Sequence, residues 1–364
     1  MNKAYKFRIY PNTEQIELLK KTFGCCRFIY NQMLSDKKAY YEINKENLRT
    51  TPAQYKSKYE WLKEVDSLAL ANVQLNLETA YRNFFRKSSV GFPQFKSKHK
   101  GHNSYTTNLV NGNIKLGKDG FLKLPKLGKV KIKKHRKIPE NYQLKSVTIS
   151  LTSSGKYFAS ILYECSVGTK KEKAKIENVI GLDFSMPELY IDSNGFSPEF
   201  PHPYYDAQKK LAKEQRKLSR RKKGGKNYKK QKAKVARLYE HITNQRKDFL
   251  HKLSRQIVKA YDVVCIEDLN MKGMSQALNF GKRVADNAWG MFVSMLSYKL
   301  QEEGKQLIKI DKWFPSSKQC SNCGKVKSNL ALSERTYECE CGFVSGRDIN
   351  AAINIRNEGL RLIA

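Results

Sequence analysis

Three carboxylates in this chain sit where they could do phosphodiester chemistry. Asp183 lies in VIGLDFSMPELYID and Glu267 in YDVVCIEDLN, each after a β-branched run that reads as a buried strand. Asp348, in CGFVSGRDINAAINI, opens an Ala/Ile/Asn-rich segment that reads as a helix. Gathering such groups is costly unless something positive sits between them. Mg²⁺ (or Mn²⁺) would do it, because it is held by one or two carboxylates together with phosphate oxygens. A paired-metal centre stabilises both the attacking and the leaving oxygen of phosphodiester cleavage. Any one of these acids alone would be an ordinary turn residue. Asp268, beside Glu267, could equally be the ligand, whereas Asp192 in YIDSNG reads as a turn residue before Asn-Gly.

A second site is written in thiols. Cys320 and Cys323 form one short knuckle, Cys339 and Cys341 another, and glycine follows each. Thiolates at this spacing reach one tetrahedral ion, so a structural Zn²⁺ with all four positions filled by protein is expected. The C-x-C knuckle is shorter than the commoner C-x-x-C and predicts a tighter loop. Cys25, Cys26, Cys165 and Cys265 lie inside apolar patterns and read as core residues of a protein in a reducing compartment. His99, His102, His135, His202, His241 and His251 form no HxH or HExxH pattern, and no P-loop occurs, so histidine-based metal hydrolysis and ATP hydrolysis are not indicated.

Charge names the partner class. The 364 residues carry 69 Lys+Arg against 34 Asp+Glu, a formal +35, which points to nucleic acid. The N-terminus MNKAYKFRIYP lacks the apolar core of a signal peptide and no run of eighteen apolar residues appears, so a cytoplasmic protein with no membrane partner is expected. Within 207–239 there are fifteen Lys/Arg and one acid, Glu214. Leu211, Leu218, Val235 and Leu238 recur on a helical edge there, expected to dock on the domain, with Gly224-Gly225 separating two arms. Arg220, Arg221, Lys222 and Lys223 would then face backbone phosphates, positioning nucleic acid without reading its sequence.

The elements that must position these sites follow from periodicity. KAYKFRIYP alternates apolar and basic residues as a strand, and Asn12 with Gln15 resembles a helix-start capping pair. The helix that follows is expected to break near Gly24, and another begins at Ser67. VGFPQFKSKHKGHNSYTTN reads as a loop lying against phosphates, and evenly spaced short strands from about 105 to 170 suggest a small barrel that the first strand joins. The charged stretch 167–178 reads as a domain boundary, and beyond it strands and helices alternate in an α/β pattern.

GLDFSMPELYIDSNG, LSRRKKGGKNYKK, RKDFLHKLS, VVCIEDLNMKGM, FPSSKQCSNCG and CGFVSGRDINAAINI, with YKFRIYPNTEQ, GCCRFIYNQML and VGFPQFKSK at the N-terminal end, resemble the transposon-encoded TnpB (OrfB) family, compact relatives of type V CRISPR effector nucleases. The resemblance runs in order over nearly the whole chain. It implies a multidomain α+β protein: a wedge-type β-barrel (1–10 and 105–170), a helical recognition insert (11–104), and an RNase H-like (RuvC) α/β nuclease domain (175–315 and 343–364) with a zinc-binding insertion (316–342). It also implies cleavage of double-stranded DNA guided by a transposon-derived RNA and dependent on a motif flanking the target. Position by position it makes Asp183, Glu267 and Asp348 the catalytic, magnesium-binding acids and Cys320, Cys323, Cys339 and Cys341 the zinc ligands. DFSMPEL is bulkier than the Gly-containing turn of many relatives. Flanking-motif contacts are expected from Asn72, Tyr105 and Thr107. A nuclease-inactive guided repressor, a basic zinc-containing RNA-binding protein and a strand-transferring transposase remain alternatives.

Overall fold

A computed structural model describes residues 2–98, 103–165, 175–276, 281–331 and 333–364. The chain divides into two compact units, Met1–Gly168 and Thr169–Ala364. The expected connector at 167–178 lies outside the described residues as far as 174, and so do His99 and His102 of the expected phosphate-facing loop.

The first unit is a seven-stranded antiparallel sheet with helices packed on its apolar face. Its strands are β1 (Asn2–Tyr10), β2 (Asn103–Asn108), β3 (Lys115–Leu116), β4 (Phe121–Leu124), β5 (Gly128–Lys133), β6 (Tyr142–Leu151) and β7 (Tyr157–Cys165). The order β2-β6-β7-β1-β5-β4-β3 makes β1 a central strand between β7 and β5 and leaves β2 and β3 as edges. The sheet curls, but among the described residues no hydrogen-bonded ladder closes it. Phe7 and Ile9 turn inward with Val130, Ile132, Val147, Ile149, Ala159 and Ile161, while Lys6 and Arg8 take the other face, as alternation requires.

Three helices, α1 (Thr13–Asn44), α2 (Pro52–Lys58) and α3 (Ser67–Arg86), separate β1 from β2. Asn12 caps α1: its Oδ1 accepts from the Gln15 N–H at 2.8 Å, and the Gln15 Oε1 accepts from the Asn12 N–H at 3.1 Å. The Gln15 amide also donates to the Leu127 and Lys129 carbonyls at 3.1 and 2.9 Å, tying the start of the helix to the sheet. The break expected at Gly24 does not occur. Phe23, Cys25 and Cys26 are buried on either side of it, and their burial outweighs the roughly 1 kcal/mol a helical glycine costs.

The second unit is built on the four-stranded sheet β11-β10-β8-β9, comprising β8 (Val179–Ser185), β9 (Leu189–Asp192), β10 (Val263–Glu267) and β11 (Gln306–Ile310). β8, β10 and β11 are parallel and β9 is antiparallel to β8. The helices are α4 (Pro203–Ser219), α5 (Lys226–Ala260), α6 (Met271–Gln276), α7 (Gly281–Asn287), α8 (Trp289–Glu303) and α9 (Arg347–Arg361), and a hairpin of β12 (Thr336–Glu338) and β13 (Val344–Gly346) leads into α9. A parallel sheet is covered on both faces, and here the alternation sorts the helices. Ile180, Leu182, Val264 and Ile266 pack against α5 and α8, whereas Val263 and Cys265 pack toward α9.

Glycine decides how closely α9 lies. A Cβ at Gly181 would sit 2.1 Å from the Ala352 carbonyl oxygen and 2.7 Å from the Arg356 nitrogen, and one at Gly359 would sit 2.2 Å from the Cys265 Sγ. The helix backbone therefore rests directly on β8 and β10. Gly181→Ala is expected to lift α9 and cost about 3 kcal/mol or more, since the clash is with backbone that cannot rotate away. A urea melt with wild-type stability in that variant would contradict this packing.

Candidate active site and metal centre

The two strand acids share a face because the side-chain period of a strand is two. Gly181 touches α9, so Asp183, two residues on, points to the same side. Cys265 meets Gly359 of α9, so Glu267 does likewise. Ile266 pairs with Leu182 across the parallel ladder, which puts Glu267 level with Asp183 at the carboxyl ends of the strands. Asp348 stands in the first turn of α9, one turn before the Ala352 that rests on Gly181. Three distant segments thus bring their acids to one pole of the sheet, the place where open α/β sheets hold ligands.

The electrostatics show what this arrangement costs. Burial pushes the Asp183 carboxyl well above its ordinary range, and Glu267 and then Asp348 push it further, with only Arg347 and the Phe184 N–H opposing. Burial also raises Glu267, offset by the hydroxyl of Ser316, which donates to its Oε1. Asp348 is 31 % exposed and lies 3.8 Å from Arg335 and 3.9 Å from Arg347. Asp268 is not part of the group: it turns outward to Lys309 at 2.7 Å. Asp192 accepts from the Asn194 and Phe196 N–H groups at 2.8 and 3.0 Å and is a turn residue. An all-oxygen set whose negative charge is only partly offset fits hard divalent cations.

Residues without sequence signatures hold the acids in place. Asn287, fully buried, donates to the Ser185 and Met186 carbonyls at 2.8 and 3.1 Å, fixing the turn that follows Asp183. On α9, Asn350 donates to the Gln319 carbonyl at 2.7 Å and accepts from the Ser321 N–H at 2.9 Å. Asn354 donates to the Ser316 and Gln319 carbonyls at 2.8 and 2.7 Å. The helix that carries Asp348 therefore also carries the segment bearing Ser316, the partner of Glu267, and Cys320. Two buried asparagines four apart on an Ala/Ile stripe are the signal that could have revealed this contact.

The four thiols converge. Their four sulfurs all lie within 4.8 Å of one another. Cys320 and Cys341 sulfurs are 3.7 Å apart, and Cys323 and Cys339 sulfurs 3.6 Å. Zn–S bonds of about 2.3 Å in a tetrahedron require sulfurs about 3.8 Å apart, so the quartet could hold Zn²⁺. Gly324 and Gly342 close the knuckles with φ of +79° and +85°, a conformation that favours glycine. The Cys341 thiol is pulled down to about 6 by the Phe343 N–H and then by the Asn322 amide, which suits a metal-binding thiolate. The shortened C-x-C knuckle still delivers both its sulfurs.

The basic stretch is a hairpin of α4 and α5. Leu211, Val235 and Ile242, with Leu218 and Leu238 beside them, pack α4 against α5, so the expected apolar edge closes the hairpin on itself. Glu214 clasps it: Gln231, Lys234 and Lys217 surround its carboxylate at 2.7, 3.1 and 3.3 Å and bring it down to about 2. Arg220, Arg221, Lys222 and Lys223 are exposed in the connecting turn.

In the first unit, Asn72 lines a cavity of about 320 Å³ with Arg27, Asn76, Lys96, Asn103 and Thr106. Tyr105, 6 % exposed, lines the same cavity, whereas Thr107 is fully buried and faces the core; the outward residues of β2 are Ser104 and Thr106.

Comparison with known proteins bears on this geometry. The sequence pattern of the OrfB family, described as "Probable transposase", matches residues 160–278; a Cas12f1-like TNB domain pattern matches 289–355; and a "Helix-turn-helix domain" pattern matches 1–46. A protein of Streptomyces pristinaespiralis named "Putative RNA-guided DNA endonuclease" is 36 % identical over 370 residues, spanning 99 % of this chain and 90 % of its own. The chain belongs to the TnpB (OrfB) family. InsQ of Escherichia coli K12, also named a "Putative RNA-guided DNA endonuclease", is 30 % identical over 99 % of this chain and 93 % of its own. The fold is that of Cas12f1, seen in a complex with guide RNA and target DNA, at a TM-score of 0.60 and 13 % identity over 98 % of this chain and 99 % of that one. Despite the third pattern's name, residues 13–44 form one continuous helix. Among the described residues no helix is long and apolar enough to cross a membrane.

Two outcomes follow. A raised carboxyl binds its proton more tightly folded than unfolded, so its stabilising contribution is complete below pH 3.8 and is lost as pH rises through the folded value. Asp183→Asn is therefore expected to melt a few degrees above wild type at pH 7 without divalent ions, to lose that advantage below about pH 4, and to gain less from Mg²⁺. Equal melting curves at pH 7 would contradict the electrostatic account. Cys323→Ser with Cys339→Ser should reduce zinc from one ion per chain to none by elemental analysis and lower Tm; full zinc retention would exclude the quartet.

Proposed function

We propose that this chain is an RNA-guided, Mg²⁺-dependent DNA endonuclease acting in the cytoplasm on the nucleoid, with an RNase H-like (RuvC) nuclease domain that follows the wedge-type sheet domain in the sequence. The observation that carries the reading is the pole at which Asp183, Glu267 and Asp348 meet, in a chain 36 % identical end to end to a protein named an RNA-guided DNA endonuclease. Divalent cations, when bound, supply activation of water and charge stabilisation at the attacking and leaving oxygens. Asp183, which feels the charge of both Glu267 and Asp348, would hold the ions together with those two acids. Ser316 keeps the Glu267 carboxylate turned into the site, and Asn287 keeps the turn after Asp183 from closing over it.

Guide and target would be held by charge. The α4–α5 hairpin offers Arg220, Arg221, Lys222 and Lys223 to phosphates, contacts that position a duplex while base pairing reads it. The cavity around Asn72, Asn76 and Lys96 in the first unit suits the edge of a base pair in the flanking motif, with Asn72 as a donor and acceptor.

The test expresses the chain with its own flanking DNA, so that RNA transcribed from it copurifies, and challenges the complex with matching double-stranded DNA. Wild type should cut with Mg²⁺ or Mn²⁺. Asp183→Ala should bind as tightly and cut about a thousandfold more slowly. Binding without scission would indicate a guided repressor, joined ends a transposase, and undiminished cutting by Asp183→Ala a site elsewhere.

A further inference from the structure

The loop after β11 leaves from Glu267 and returns to it. Ile310 pairs with Glu267 across the ladder, and Ser316 donates to the Glu267 carboxylate. At the apex of the five residues between stands Trp313, 80 % exposed, whereas Trp61 is 42 % and Trp289 2 % exposed. The exposure is built in. The Asp311 carboxylate accepts the Trp313 N–H at 2.7 Å, the Phe314 N–H donates to the Asp311 carbonyl at 3.1 Å, and Phe314 anchors the loop in the apolar cluster beneath. Because three residues of chain span at most about 10–11 Å, the Trp313 backbone cannot lie further than that from Ile310. The Lys312 Nζ lies 4.9 Å from the indole centroid, and Lys309 flanks the cavity at the loop's base.

A large π-face held in water, with cations beside it and carboxylates a few nucleotides away, is the arrangement that binds single strands by base stacking. We propose that Trp313 is a stacking platform for an unpaired nucleobase of the strand presented to the Asp183–Glu267–Asp348 pole. The inference rests on the nuclease reading only in taking that pole as the place where a strand is held. Duplex cannot use such a platform, since its bases are already stacked, so Trp313 favours unpaired over paired nucleic acid. Lys312 would pair with the adjoining phosphate.

The test uses tryptophan emission in the full chain carrying Asp183→Ala, titrated with an eight-residue oligothymidylate and with an abasic strand of equal length and charge. Oligothymidylate should quench the emission saturably and the abasic strand should not, and Trp313→Phe should abolish the quenching. Stacking of one base amounts to about a five- to hundredfold change in affinity. Trp313→Ala should weaken oligothymidylate binding by that factor at high salt, where phosphate contacts fade, and Trp313→Phe should largely restore it. Quenching that survives in Trp313→Phe, or equal quenching by the abasic strand, would overturn the proposal. Cleavage is read separately: saturable quenching without scission by the otherwise wild-type chain would sink the nuclease reading and leave the platform standing.

Discussion

The absence of a side chain at residue 181 sets the rest of the second unit. With no Cβ there, α9 lies with its backbone against β8, and its first turn arrives beside the end of that strand. Asp348 reaches Asp183 by that route. Asn350 and Asn354, on the same helix, reach the Ser316–Ser321 segment, so one helix fixes the third acid, the partner of Glu267 and the root of the first zinc knuckle. The thiol cluster and the carboxylate site are therefore joined through the hydrogen bonds of α9.

Charge is the second organising fact. A chain of formal +35 gathers three of its acids at a half-buried pole, where Arg347 only partly offsets the repulsion that Asp183 feels from Glu267 and Asp348. Elsewhere the chain pairs its few acids efficiently, as where Glu214 clasps the basic hairpin. The contrast separates Glu214, pulled down by Gln231 and then Lys234, from Asp183, pushed up by burial and then by Glu267 and Asp348.

The acids and the cysteines were legible because their chemistry leaves local marks: a carboxylate ending a buried strand, thiols in pairs followed by glycine. The capping pair Asn12–Gln15 and the start of the helix at Ser67 were legible for the same reason. Gly24 misled because tertiary burial of its neighbours overrides intrinsic helix propensity. Thr107 is polar yet fully buried, and polarity alone does not tell which face of a strand a threonine takes. Asn287 and Ser316 left no mark in the sequence, and Asn350 and Asn354 left only their spacing of four on an Ala/Ile stripe. Their partners lie tens of residues away, and an asparagine's sequence context carries no record of which carbonyl it will meet.

Everything in the functional reading reduces to whether β8, β10 and α9 place their oxygens around a pair of divalent ions. Electron paramagnetic resonance of the Mn²⁺-loaded full-length protein measures this most directly, because two ions a few ångströms apart give a spin-coupled spectrum and isolated ions do not. The account predicts a coupled pair in wild type, with target DNA present, and its loss in Glu267→Gln. Only uncoupled Mn²⁺, or a coupled pair that survives removal of the Glu267 charge, would contradict it.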